Sequence, residues 1–365
     1  MKQTLKNLRL ASGKRIDLSI QDGMIQEVGN LNHSDANEIH FPKDLYVSSG
    51  WIDLHTHAFP EFPPYSADPD DIGFKTGVTT VVDAGTCGAD HIDRLYELSM
   101  KRKTRVLSFL NIARCGLEKT NELADLHDIS EREIVKAVKR YPSFIVGLKA
   151  RMSASVVGSN NLEPLRLAKA FTHKLNKPLM VHIGSAPPLV KDLLELLDER
   201  DIITHCYNGK DNQLFTNGGK PIQALIEARK RGVSLDVGHG SKSFSFRVAE
   251  DATRAQIPFD TISTDIYSNN QLNGPVFNMA TTLTKCLTLG YSLATVIRAV
   301  TETPAKLIGR TDIGHLKPGA KADLTLFKVE QGTSVPLIDS YGVVRQSKGY
   351  IQPVAVYLGG DYYEL

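Results

Sequence analysis

The chain reads as an α/β protein: a (β/α)8 TIM barrel with a small β-sandwich domain formed by both chain ends. Three observations predict this. Short apolar runs alternate with amphipathic stretches through the middle of the chain, which is the signature of a parallel sheet covered by helices. Eight such runs fall within a span of about 250 residues, the usual size of such a barrel. Both ends instead carry short alternating runs broken by glycine and proline. A doubly wound open sheet is the alternative, weakened because the usual glycine fingerprint after its first strand is absent.

The first end supplies strands over residues 4–10, 15–20 and 24–28. The last two flank Gln21-Asp22-Gly23, and Asp-Gly between alternating runs marks a hairpin. A turn-rich stretch follows over 30–43. The barrel strands are expected at 51–54, 79–83, 105–112, 144–149, 179–182, 202–205, 234–237 and 261–264. Helices are expected between them at 91–103, 131–141, 163–176, 188–199, 221–231 and 246–256. After Gly309 the helical pattern stops, and strands are expected at 322–329, 342–346 and 354–358. The chain of 365 residues thus divides into a barrel at 50–312 and a composite β domain from 1–49 and 313–365.

Composition excludes several classes. Hydrophobic residues are 41% and charged residues 23%, enough for a sizeable core. The net charge is +2 with no long run of one sign, so neither nucleic acid nor an anionic membrane is expected as partner. Cys87, Cys115, Cys206 and Cys286 are widely spaced, without a Cys-x-x-Cys pair, so neither a disulfide framework nor a cysteine zinc site is expected. The start is charged rather than continuously apolar, and no apolar stretch of about 18 residues occurs. A cytoplasmic protein acting on a small molecule is the expectation, with monomer and homo-oligomer both left open.

The chemistry gathers at strand ends. His55-Thr56-His57 closes the first run, and residues two apart in a strand share a face. Neutral imidazole offers a lone pair to a metal. Lys149 ends the fourth run, His182 the fifth and His205 the sixth, and Asp265 follows the eighth. In a barrel these positions share the rim where active sites are built. An isolated His-x-His is more often a pair of surface histidines, but strand-end placement on five strands favours a metal site.

This pattern resembles the amidohydrolase superfamily of metal-dependent hydrolases. Similar flanking text occurs in Gly50-Trp51-Ile52-Asp53-Leu54, Gly77-Val78-Thr79-Thr80, Pro304-Ala305-Lys306-Leu307-Ile308-Gly309 and Lys321-Ala322-Asp323-Leu324. The resemblance implies a binuclear centre, most simply two zinc ions. Lys149, carboxylated by carbon dioxide, would bridge them. His55, His57 and Asp265 would hold one ion, and His182 and His205 the other. It implies that a metal-bridging hydroxide attacks and that Asp265 carries the proton.

Within that family, His57-Ala58-Phe59 lacks the arginine of the dihydroorotase pattern His-x-His-x-Arg. His182-Ile183-Gly184-Ser185 lacks the His-x-x-Glu of mononuclear deaminases. The resemblance points to the deacetylase and dihydroorotase-like branch, hence to hydrolysis of the acyl (acetyl) bond of small acylated α-hydroxy or α-amino acids. A cyclic amidase, a binuclear adenine deaminase and a catalytically idle binding barrel are the alternatives. Arg151, Asn208 and His239 are the expected substrate contacts. Arg114 is equally readable as half of an ion pair.

Overall fold

The computed structural model describes residues 2–31 and 37–365, so part of the turn-rich stretch at 30–43 lies outside the described residues. At its centre is a seven-stranded parallel sheet. Its strands are Trp51–Thr56, Val78–Ala84, Arg105–Asn111, Ile145–Met152, Leu179–Ile183, Ile202–Thr204 and Ser234–Asp236, paired in chain order. These strands are buried on both faces, as a parallel sheet requires.

The segment expected as the eighth strand, 261–264, is not a regular ladder member. It touches both sheet edges through two isolated parallel bridges, Asp236 to Thr261 and Thr56 to Ile266. The physical reason is competition for its donors. Ile262 N–H bonds the Ala299 carbonyl (3.1 Å), and Thr264 N–H bonds the Asp53 carboxylate (3.0 Å). The curled sheet is nevertheless tied across this segment: Asp265 N–H meets the His55 carbonyl (2.7 Å), and Gly240 N–H meets that of Thr264 (2.9 Å).

Helices cover the sheet near the expected places, among them Ile92–Ser99, Glu131–Arg140, Glu163–Leu175, Gln223–Lys230 and Phe246–Arg254. The second of these is capped by the Ser130 side chain and carries acids in its first turn and bases in its last, as the helix dipole favours. Met279–Thr288 and Leu293–Arg298 are helices that the alternation did not show, because they follow the irregular eighth segment without an intervening strand.

The two ends pair with each other. Strand Leu324–Gln331 lies antiparallel between Tyr46–Ser49 and Gly349–Leu358, and Tyr46–Ser49 adjoins Gln3–Arg9. The result is one eight-stranded sheet, so the two facing sheets of a sandwich are not what the ladder forms. It buries its own cluster, including Leu5, Leu18, Val47, Leu326 and Tyr357. Phe327 instead faces the central body, its ring 5.5 Å from Trp51. The remaining pair, Pro336–Ile338 with Val344–Gln346, is a separate hairpin. It lies over the loops after the sixth and seventh central strands: Ser340 N–H bonds the Phe244 carbonyl (2.9 Å), and the Asp339 carboxylate accepts from Phe246 N–H (2.9 Å).

Candidate active site

His55, His57, Lys149, His182 and Asp265 line one cavity of about 280 Å³ at the C-terminal ends of the central strands. His205, wholly buried, stands behind it. His55, His205 and Asp265 present ligand atoms that all lie within 4.8 Å of one another. His57 Nε2 is 3.0 Å and His55 Nε2 3.3 Å from the same oxygen, Asp265 Oδ1. His205 Nε2 is 2.7 Å from His182 Nδ1. Lys149 Nζ is 3.0 Å from His55 Nε2.

Supporting side chains orient these rings. Asp236 accepts from the hydroxyls of Thr204 (2.7 Å), Thr261 (2.7 Å) and Ser263 (2.6 Å). Thr204, having spent its proton on Asp236, accepts from His55 Nδ1 at 2.9 Å. His55 Nε2 therefore carries the lone pair and faces the cavity. His205 Nδ1 donates to the Gly238 carbonyl (2.6 Å), which leaves its Nε2 lone pair toward His182. His57 Nδ1 meets the Thr86 hydroxyl at 2.8 Å.

Charge states follow from burial. Burial, reinforced by Lys149 and the neighbouring imidazoles, holds His55 well below its ordinary value. His182 is lowered by burial and His205, and His205 falls to about 4. Lys149 is pushed down to about 7 by burial. Burial would raise Asp265, yet the His57 hydrogen bond, with His205 and Lys149 beside it, holds its carboxyl below the usual range. Burial thus keeps the His55, His182 and His205 rings neutral, with lone pairs to offer beside one carboxylate, which is what a divalent cation accepts. Lys149 fits as well, because a buried, readily deprotonated amine is the form that adds carbon dioxide.

The backbone is unusual at two of these residues. His205 and Asp265 adopt left-handed conformations, φ 69° and 51°, uncommon outside glycine and clustered at functional sites. Gly240 closes against Asp265: a Cβ there would collide with Asp265 Oδ2.

The expected substrate contacts separate. Arg151 lines the cavity two residues beyond Lys149, because the fourth strand continues to Met152. Its Nη1 pairs with the wholly buried Glu122 at 3.2 Å. Asn208 and His239 do not line the cavity. Asn208 is fully buried, its amide bonded to the His205 carbonyl (3.1 Å). His239 is fully buried too, stacked on Phe244 and bonded to Lys285 Nζ (2.7 Å). A glycine-flanked loop position showed proximity but not direction. Arg114 pairs with Asp90 at 2.8 Å outside the cavity. Tyr267, which opens the rim segment after Asp265 where a pocket-shaping loop is expected, lines it, and so do Tyr65, Ser153, Ser155, Lys210 and Lys242, which were not expected. Nothing in their spacing separates them from ordinary loop residues, except that Lys210 and Lys242 follow central strands six and seven.

Comparison with known proteins now decides the family. The profile described as "Amidohydrolase family" matches residues 46–360. The chain belongs to the amidohydrolase family. As an amidohydrolase it is a metal-dependent hydrolase. Similar relatives include a deacetylase of Enterococcus faecalis (strain ATCC 700802 / V583), 41% identical over 99% of this chain and 98% of its own length. A deacetylase of Agrobacterium fabrum (strain C58 / ATCC 33970) is 35% identical over 93% and 84%. Among solved structures, one described as an adenine deaminase superposes with TM-score 0.97 at 41% identity, covering 100% of this chain and 99% of that one. Another, described as a dihydroorotase, gives 0.90 at 32% identity over 100% and 98%. This amidohydrolase therefore has full-length relatives whose names cover three kinds of C–N or acyl bond.

Proposed function

We propose that the protein is a deacylase that removes the acyl (acetyl) group from small acylated α-hydroxy or α-amino acids. The observation that carries this reading is Arg151. It lies on the same strand as Lys149 and two residues beyond it, on the cavity wall, backed by buried Glu122. Two residues of strand span about 6–7 Å. That suits a substrate whose scissile carbonyl lies over Lys149 and whose α-carboxylate reaches the guanidinium, a planar fork matched to carboxylate. The relatives named deacetylase support the same reaction class.

In this reading residues 50–312 close as a (β/α)8 barrel through the 261–266 segment, and 1–49 with 313–365 form the companion domain. His55, His57 and Asp265 would hold one divalent ion, His182 and His205 a second, with carboxylated Lys149 between them. Zinc is the first choice for such nitrogen and oxygen donors. Two bound ions would supply a water activated at neutral pH and a polarised acyl carbonyl. The chain's own residues do the rest. Arg151 orients the acid. Asp265, a carboxylate held low by His57, accepts the water's proton and passes it to the leaving oxygen or nitrogen.

Adenine deamination is the second reading, favoured by the solved structure of that description. Adenine is flat and uncharged, whereas Arg151, Lys210 and Lys242 surround this cavity. The test is a hydrolysis screen of N-acetyl and O-acetyl acids of both hands, run beside cyclic amides and adenine. Turnover of acyl acids is expected. Turnover confined to cyclic amides or adenine would overturn the assignment.

A further inference from the structure

Lys210 and Lys242 both line the cavity and come from different loops, after the sixth and the seventh central strands. Among the described residues no carboxylate lies within ion-pair distance of either. Arg151, by contrast, already pairs with Glu122. The two lysine loops are also tied together. The Tyr341 hydroxyl, at the tip of the docked hairpin, accepts from Gly209 N–H (2.9 Å) and donates to the Lys242 carbonyl (3.2 Å). A Cβ on Gly209 would sit 2.9 Å from the Tyr341 ring, so the ring packs directly on that backbone. One phenol from the far end of the chain thus fixes the backbone at both lysines. Burial and the neighbouring Lys242 push the Lys210 ammonium down from its ordinary value, so each would gain from an anion between them.

We propose that Lys210 and Lys242, strapped by Tyr341, form a second anion subsite, and that the preferred substrate carries a second negative group besides the α-carboxylate. The inference rests on the deacylase reading, in which Arg151 takes the first carboxylate. A carboxylate on Arg151 leaves both ammoniums without an anion, and a ligand that covers half-buried Lys210 without supplying one meets a desolvation cost. Acyl derivatives of acidic amino acids, or of phosphorylated hydroxy amino acids, fit this charge count. Ser241 and Ser243, which flank Lys242 and also line the cavity, add hydroxyl donors of the kind such oxyanions accept.

The test uses the full-length zinc-loaded enzyme with N-acetylnorvaline, N-acetylglutamate and N-acetylphosphoserine. The kcat/KM for at least one of the two substrates with a second acidic group should exceed that for N-acetylnorvaline by about ten-fold or more at low salt, chiefly through KM. The preference should shrink as potassium chloride is raised. In Lys210→Gln/Lys242→Gln the ratio should fall toward one, and Tyr341→Phe should lower it part-way. Which of the two gains more identifies the second group as carboxylate or phosphate. No preference in the wild type, or a preference unchanged in the double variant, would overturn the subsite. If none of these substrates is hydrolysed, the deacylase reading is judged separately by the screen of N-acetyl and O-acetyl acids above. Calorimetric binding of glutarate against butyrate then still decides the subsite: tighter glutarate binding that the double variant loses supports it, and equal binding refutes it.

Discussion

Lys149 shows how one residue's surroundings decide its chemistry. An ammonium has donors and no lone pair, yet this one lies against His55 Nε2 and Met180 Sδ (3.3 Å), with burial holding it at about 7. Above that pH it is a neutral amine, able to add carbon dioxide; below it, it is not. Its neutral fraction is roughly ten times larger at pH 8 than at pH 6. Metal-stripped protein given zinc at a fixed concentration of dissolved carbon dioxide should therefore regain activity about ten-fold faster at pH 8 than at pH 6. Equal rates would count against the carboxylated lysine. Lys149→Met should lose most of the bound metal as well as the activity. Asp265→Asn should instead keep at least part of its metal while turnover falls by about 10²–10⁴, measured by metal analysis beside a rate assay; near-wild-type turnover would remove its proton-transfer role. At this scale the sequence was informative wherever a residue closes an apolar run, because the strand's period then aims the side chain. It was uninformative for Asn208 and His239, which sit in loops where no period applies, and both turn into the protein.

At the scale of elements, the sixth strand stops at Thr204 because His205 turns left-handed, and the eighth segment bends at Asp265 for the same reason. Such turns bring His205 and Asp265 inward, and Gly238 and Gly240 make room for them. A Cβ on Gly238 would strike Thr204 Oγ1, and Gly240 has φ 55°. Gly240→Ala should consequently reduce kcat by at least about ten-fold by displacing the Asp265 carboxylate. Backbone strain there adds roughly 1–2 kcal/mol of destabilisation. A thermal melt alongside the rate would separate the two, and unchanged kcat would show that the contact does not position the carboxylate. These same elements explain what the sequence concealed. The strand–helix alternation reports burial period, so seven strands and most helices were legible. It does not report whose carbonyl each N–H meets, so the capture of Ile262 by Ala299 and of Thr264 by Asp53 was not. Nor did it show that the 336–346 hairpin leaves the end sheet to lie over the active-site loops.

Across the whole molecule, the central body, the end sheet and that hairpin converge on Lys285. It lies on helix Met279–Thr288, which is bonded to the end sheet through Ile351 N–H and Thr284 Oγ1 (3.1 Å). Its ammonium reaches His239 Nε2 (2.7 Å) and the Pro275 carbonyl (2.8 Å), with Asp339 of the hairpin, Cys286 and the Phe244 ring nearby. Burial lowers Lys285 from 10.5 to about 7, despite the attraction of Asp339. Between those values the unfolded chain keeps a proton that the folded protein has released. The unfolded state then binds more protons, so this group's contribution to stability rises with pH from about 7 towards 10.5 and is at its least favourable below 7. In Lys285→Met that dependence disappears, while His239 and Cys286, whose shifts Lys285 shares, stay dominated by burial. The melting temperature of the wild type minus that of the variant should therefore increase between pH 7 and 9.5, whatever its sign at neutrality. A difference that stays flat would mean that Lys285 keeps its proton in the fold, and that the junction of the three parts holds a charge rather than a neutral amine.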